Sequence, residues 1–334
     1  MEENPMHKKI TRRTFCSMLL ALPFPARAQQ TAKIPRIGYP LAASSSTNSP
    51  RVEAFRQGLR ELGFVEGKNI IVEWRFAEGK RDRLPLLAAE LMRLKVDILI
   101  SDSASTTRVL KEATSTIPII MTNDGDPVGV GFIASLARPG GNITGLSTFS
   151  PELSGKRLEI LKEIVPKLTR VAVFGTSTSA TNAIELKELE LASGALGLKL
   201  QYHDVLTVKD IEPAFRAAVK ERSGAVLMNV SGGIGGASQR KQTVQLAVKS
   251  RVPATYPRGE YVEDGGLMSY GVNLRDLDRR AAVYVDKILK GRTPADLPVE
   301  QPMKFEFVIN LNAAKQIGLT IPQWTLMKAD KVIK

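Results

Sequence analysis

From Ile34 onward the sequence alternates short β-branched runs with segments of helical period, and this alternation restricts the fold more than any other feature. Strand–helix–strand succession of this kind winds into a parallel sheet covered by helices on both faces. Residues 36–39 read as the first strand. Ser49 and Pro50 then read as the N-cap and first residue of a helix whose stripe is Val52, Phe55, Leu59 and Leu62, with Gly63 as its stop. Residues 70–72 form the next strand, and Asp82 is expected to cap a helix carrying Leu84, Leu87, Leu91 and Leu94. Residues 96–100 and 117–121 are almost wholly apolar, as strands covered on both faces are. A helix around Val109 and Leu110 separates them.

A second set follows Gly140-Gly141. Residues 151–164 read as a helix with Leu153, Leu158, Leu161 and Ile164 on one face. Strands are expected at 171–174, 198–202 and 225–230, each followed by a helical pattern, and a short one ends at Tyr256. Residues 267–270 look like a strand, Leu274–Leu289 like a long amphipathic helix stopped by Gly291, and 305–309 like a last strand before short helices around Ala314 and Leu326. A chain of 334 residues suits two domains. The economical fold is therefore α/β, with two Rossmann-like doubly wound lobes and a ligand cleft between them. The elements after 267 fit only if the chain crosses back between the lobes.

The N-terminus stands outside this pattern. Lys8, Lys9, Arg12 and Arg13 precede a short apolar stretch, and Pro25-Ala26-Arg27-Ala28 supplies an A-x-A cleavage site. That order is an export signal over residues 1–28, and Thr11-Arg12-Arg13-Thr14-Phe15 also has the look of a twin-arginine route. Cleavage before Gln29 takes away five basic and two acidic side chains, so the net charge falls from +13 to +10. It also removes the single cysteine, Cys16, and with it any thiolate chemistry. The basic residues are scattered, often beside acids as in Arg60-Glu61 and Lys220-Glu221, and do not interleave with aromatics. That distribution reads as a solvated surface and excludes a nucleic-acid partner.

In open parallel sheets, ligands bind beyond the carboxyl ends of the strands. Those ends run into residues 39–47, 101–107, 122–127, 175–179 and 229–233, all rich in hydroxyl-bearing and small residues. Helix N-termini there offer free N–H groups to an anion, although Ser, Thr and Asp also simply cap helices. Asp124 and Asp126, with Asp102, are the one set with a cation-binding look, but Asp126 precedes a proline and reads as the cap of a helix starting at Val128. Gly232-Gly233-Ile234-Gly235-Gly236 lacks the Gly-Lys-Ser/Thr ending of a phosphate loop. His203 is the only histidine outside the leader and lies in an expected strand, and there is no G-x-S-x-G. No catalytic residue, metal site or cofactor is expected.

Six blocks carry a family resemblance. They are Ala54-Phe55-Arg56-Gln57-Gly58-Leu59, Arg83-Leu84-Pro85, Gly125-Asp126-Pro127-Val128, the run from Ser135 through Arg138-Pro139-Gly140-Gly141-Asn142-Ile143-Thr144-Gly145, Gly265-Gly266-Leu267-Met268-Ser269-Tyr270-Gly271, and Lys304-Phe305-Glu306-Phe307-Val308-Ile309-Asn310. Together they resemble the ABC transporter substrate-binding proteins of the tryptophan/tyrosine type, over nearly all the chain after Ile34. The resemblance implies a type I periplasmic-binding fold, with lobes of residues 33–148 plus 272–302 and 149–271 plus 303–334. Hinges are then expected near Ser147, Gly271 and Pro302. It further implies a monomeric periplasmic receptor that captures an amino acid or related carboxylate-bearing solute by lobe closure and delivers it to ABC permease subunits. By the same resemblance, a ligand carboxylate would meet Ser45, Ser103, Ala104 and Thr122, and an ammonium or ring would meet Asp124, Ser231, Tyr256, Glu260 or Tyr270. Two other readings stand beside this one: a ligand sensor for a membrane signalling partner, and a Mg²⁺-dependent hydrolase using Asp102, Asp124 and Asp126.

Overall fold

The computed structural model describes residues 33–334 apart from 43, 149–150, 180 and 230–236, and leaves the side chains of 46–49, 237 and 238 undescribed. The export-signal reading of 1–28, the glycine run at 232–236 and Ser231 lie outside the described residues.

The first half runs β1 (Arg36–Leu41), α1 (Ser45–Glu61), β2 (Ile71–Phe76), α2 (Leu84–Arg93), β3 (Ile98–Ser101), α3 (Ala104–Ala113), β4 (Ile119–Asp124) and β5 (Ile143–Ser147). These strands make one parallel sheet in the order β2-β1-β3-β4-β5. Every residue of β3 and β5 is buried, so the apolar runs serve both faces. The second half runs α4 (Glu152–Ile164), β6 (Arg170–Gly175), α5 (Asn182–Leu196), β7 (Lys199–Asp204), α6 (Ile211–Lys220), β8 (Ala225–Asn229), α7 (Ala237–Lys249), β9 (Ala254–Tyr256), α8 (Gly259–Glu263) and β10 (Met268–Val272). It closes with α9 (Leu274–Leu289), β11 (Phe305–Asn310), α10 (Leu311–Gln316), α11 (Gln323–Leu326) and β12 (Lys331–Ile333). Its sheet has the order β12-β11-β10-β9-β8-β6-β7, parallel except between β10 and β11.

The chain passes between the two sheets three times. It leaves the first after β5 and returns after β10, where α9 packs Leu274, Leu277, Ala281 and Val285 into the core shared by Ile37, Phe55 and Leu59. It leaves again after Glu300, whose N–H bonds the Gly145 carbonyl at 3.0 Å, and enters β11. Each sheet carries a core on both faces. Leu91, Leu110, Ile119 and Phe132 fill the other side of the first sheet. Leu158, Leu161 and Leu189 pack on one face of the second, and Phe174, Phe215 and Val244 on the other.

Two glycines of the blocks quoted above are fixed by close approach. A Cβ at Gly58 would lie 2.1 Å from the Arg279 carbonyl oxygen, so its absence lets α1 and α9 touch backbone to backbone. A Cβ at Gly271 would lie 1.9 Å from the Pro257 carbonyl oxygen, at the point where the chain is about to recross.

Several local expectations are corrected. The first helix begins a turn early, at Ser45, and holds Pro50 in its interior, so Ser49 is not its N-cap. Asp82 sits inside a 3₁₀ turn over Arg81–Arg83, and α2 starts after Arg83 with Pro85 in its first turn, where the missing N–H costs nothing. No helix starts at Val128: Asp126 accepts from the Gly129 N–H at 2.8 Å and closes a turn. Strands β5 and β12 were not expected at all.

Candidate functional site

The carboxyl edge of the first sheet gathers four acids and bases from distant segments. Arg51 on α1 points at Asp278 on α9, its Nε donating to Oδ2 at 2.6 Å and its Nη2 to Oδ1 at 3.0 Å. The Tyr39 hydroxyl, from β1, donates to the same carboxylate at 3.1 Å, and Arg51 Nη2 also reaches Thr122 Oγ1 at 3.3 Å. Burial pushes the Asp278 carboxyl up and Arg51 opposes it, while Asp278 holds the guanidinium firmly charged. Asp278 is buried with both oxygens hydrogen-bonded, and Arg51 is largely enclosed, the condition under which such an ion pair is tolerable. It locks α1, α9, β1 and β4 together.

Beside it, the ends of β3 and β4 carry two more carboxyls. Asp102, 4% exposed, is satisfied: it accepts from the Ala42 N–H at 3.1 Å, the Thr106 hydroxyl at 2.8 Å and the Ser103 hydroxyl at 3.2 Å. Asp124 is not. One oxygen accepts from the Thr107 hydroxyl at 2.7 Å, and the other, Oδ1, is sealed from solvent with no hydrogen-bond partner among the described residues. Burial pushes its carboxyl up to about 7, against the Thr107 hydrogen bond, with Asp102 adding to the rise.

The second sheet presents its own edge. Arg157 on α4, 5% exposed, donates from Nη2 to Ser154 Oγ at 2.8 Å and to Asn229 Oδ1 at 2.9 Å, at the end of β8. The Asn229 amide in turn donates to Glu185 in the first turn of α5. Burial pushes the guanidinium down to about 10, which Glu185 partly opposes, and burial raises Glu185 against Arg157 and its hydrogen bonds.

The two edges face one another. A Cβ at Gly125, directly after Asp124, would sit 3.6 Å from Thr181 Cγ2 at the start of α5. Glu260 on α8 belongs to the second lobe, where burial works to raise its carboxyl. Arg258, its own backbone N–H, Arg51 from the first lobe and Arg240 together outweigh that and hold it low.

The residues singled out from sequence are distributed as follows. Ser103, Ala104, Thr122 and Asp124 come together on the adjoining ends of β3 and β4. The hydroxyls of Ser103 and Thr122 already have internal partners, Ser103 as the N-cap of α3 and Thr122 with Arg51. Glu260 is half-buried on the opposite lobe. Ser45 is exposed at the start of α1, on a groove of ≈ 600 Å³ with Trp74 and Phe76 of the edge strand β2, three strand spacings or about 14 Å from β4. Tyr256 is core: 0% exposed and stacked on Tyr261 at 4.8 Å, with its ring among the residues packed under α7. Tyr270 is half-buried between Phe305 and Phe307, with ring centroids 6.1 and 6.3 Å away. Asn229 falls in the strand end expected at 229–233, whereas Arg51, Asp278, Arg157 and Glu185 escaped the sequence reading. Their one legible signal is that Asp278 and Arg157 fall in register with apolar helix stripes, where a charge needs a partner. Among the described residues no three His, Cys, Asp or Glu side chains group as a metal site.

The sequence profile described as "ABC transporter substrate binding protein" matches residues 44–333. The chain belongs to this family. A tyrosine-binding protein of Clostridioides difficile is 24% identical over 268 residues, covering 80% of this chain and 76% of that one. A crystal structure of a conserved domain protein from Vibrio cholerae superposes with a TM-score of 0.79 at 30% identity, covering 90% of this chain and all of the other. The structure of an ABC domain in complex with L-Trp from Streptococcus pneumonia gives a TM-score of 0.80 at 24% identity, over 90% of this chain and 99% of its own. The substrate-binding family and its two-lobed periplasmic-binding fold, expected from the sequence, are thereby established. No helix among the described residues of this family member is long and apolar enough to cross a membrane.

Proposed function

We propose that the protein is the exported receptor of an ABC importer and that it captures an amino acid, or a close relative, in the cleft between its lobes. The observation that carries this reading is Asp124: a carboxyl oxygen buried at the carboxyl end of a parallel strand, with no hydrogen-bond partner among the described residues, next to Gly125, which approaches Thr181 of the second lobe. A buried acceptor left unpaired costs about 1–3 kcal/mol, and a ligand ammonium would remove that cost while favouring the ionised carboxylate. Glu260, held ionised, offers a second anionic group from the opposite lobe. The tyrosine and tryptophan named for the relatives are therefore the first candidates. In this reading the lobes comprise residues 33–148 plus 272–302 and 149–271 plus 303–334, hinged near Ser147, Gly271 and Pro302. Ser103 and Ala104 line the first-lobe wall. Binding both lobes at once favours the closed form, which permease subunits would recognise.

The test is a thermal-shift screen of residues 29–334 against the amino acids, small carboxylates, purines and sugars. A ligand at 100 times its dissociation constant adds about 2.7 kcal/mol. A stabilising amino acid supports the reading, and stabilisation by sugars or purines alone rejects it.

A further inference from the structure

The second lobe contains a buried cation with unfinished hydrogen bonding. Arg157 lies one turn after Ser154 in α4 and is 5% exposed. Its Nη2 is used by Ser154 and Asn229, but its Nε–H is sealed from solvent and meets no acceptor among the described residues. Among the described residues no carboxylate comes within ion-pair distance of it. Asn229 stands between Arg157 and Glu185, accepting from one and donating to the other. A buried guanidinium normally takes a planar, bidentate anion, because its fork of donors matches a carboxylate and an uncompensated buried charge costs several kcal/mol. Here neither condition is met by the protein itself.

The place of Arg157 matters as much as its state. Ser154 sits in the first turn of α4, Glu185 in the first turn of α5, and Asn229 at the carboxyl end of β8. All three lie at the ligand-binding edge of the second sheet. The start of α5 also carries Thr181, which approaches Gly125 next to Asp124. The structure assigns to Arg157 the role of a carboxylate subsite on the second lobe, opposite Asp124 on the first. This reverses the polarity expected from the family resemblance, in which first-lobe hydroxyls take the carboxylate. Those hydroxyls are engaged internally, and Asp102 and Asp124 beside them would repel an anion. Ligands would then be zwitterions held by opposite ends, with the carboxylate drawing the second lobe onto the first.

This assignment rests on the cleft-receptor reading, and the experiment separates the two. Isothermal titration compares the best-binding amino acid of the screen with its primary amide, in wild type and in Arg157→Gln. The expected result is a preference of about 100-fold for acid over amide in wild type that falls below about 3-fold in Arg157→Gln. A preference that persists in the variant overturns the assignment. Should Arg157→Gln fail to fold, NMR of the arginine Nε–H groups in wild type decides, with the signal assigned by its loss in Arg157→Lys. A carboxylate arriving at Nε moves that proton strongly downfield on ligand addition, and an unmoved resonance overturns the proposal. If no amino acid binds, the receptor reading fails by itself. Acetate and benzoate are then titrated, and the subsite stands only if they shift the Arg157 Nε–H signal.

Discussion

Replacing Asp124 by asparagine removes a charge while keeping the shape of the side chain, and its effect depends on pH in a way the structure dictates. Between an ordinary carboxyl near 3.8 and one pushed up to about 7 lie roughly three decades of proton affinity, or about 4 kcal/mol. A carboxyl whose folded-state pKa is raised contributes its favourable protonated form fully below about 4, and loses that contribution as pH rises to about 7. At pH 8 the ligand-free wild type therefore carries an ionised carboxylate that its surroundings disfavour. Asparagine relieves this, but places an amide N–H group where Oδ1 now lacks a partner, returning about 1–3 kcal/mol. The net expectation is stabilisation of about 1–3 kcal/mol at pH 8, a rise of roughly 2–8 °C in the melting temperature. At pH 4, where wild type is protonated, the gain disappears or reverses. Differential scanning calorimetry of both proteins without ligand from pH 4 to 8.5 reads the difference directly. An equal difference at both ends of that range, or destabilisation at pH 8, would refute the reasoning.

Three further substitutions probe the scaffold. Asp278→Asn leaves the largely enclosed Arg51 guanidinium against a neutral partner, and urea unfolding should show a loss of about 3 kcal/mol. Gly58→Ala puts a methyl 2.1 Å from the Arg279 carbonyl oxygen, so α1 and α9 must separate, and denaturant titration should show at least about 2 kcal/mol of destabilisation. Thr107→Val removes the hydroxyl that donates to Asp124 and so raises its carboxyl further, and in scanning calorimetry the loss of stability that starts near pH 4 should continue to higher pH than in wild type.

Much of the scaffold was legible because its signals are local. Leu274–Leu289 shows its stripe and its Gly291 stop within one segment, and β3 and β4 announce themselves by short apolar runs, Ile98-Leu99-Ile100 and Ile119-Ile120-Met121. Strand β12 has only three residues and gains its place by pairing with β11, a partner that no local pattern reveals. The site was half legible. Asp124 stands out at a strand end, whereas Arg51 and Asp278 are 227 residues apart and each reads alone as a surface charge. Asp278 lies four residues after Leu274 and three before Ala281, on the buried stripe of α9, and Arg157 lies four after Leu153 and four before Leu161. A charge in such a register demands a tertiary partner: Asp278 finds Arg51 on α1, and Arg157 adds Asn229 of β8 to Ser154 of its own helix. Tyr256 misled in the opposite sense: a tyrosine ending a strand suits a cleft, but the alternation of β9 turns its ring into the core against Tyr261.

The most direct test of the account is isothermal titration of the amino acid selected by the screen into wild type and Asp124→Asn at pH 8. The account predicts one site per wild-type chain and binding at least tenfold weaker in the variant. Equal affinity in the two proteins, or more than one equivalent site per chain, would contradict it.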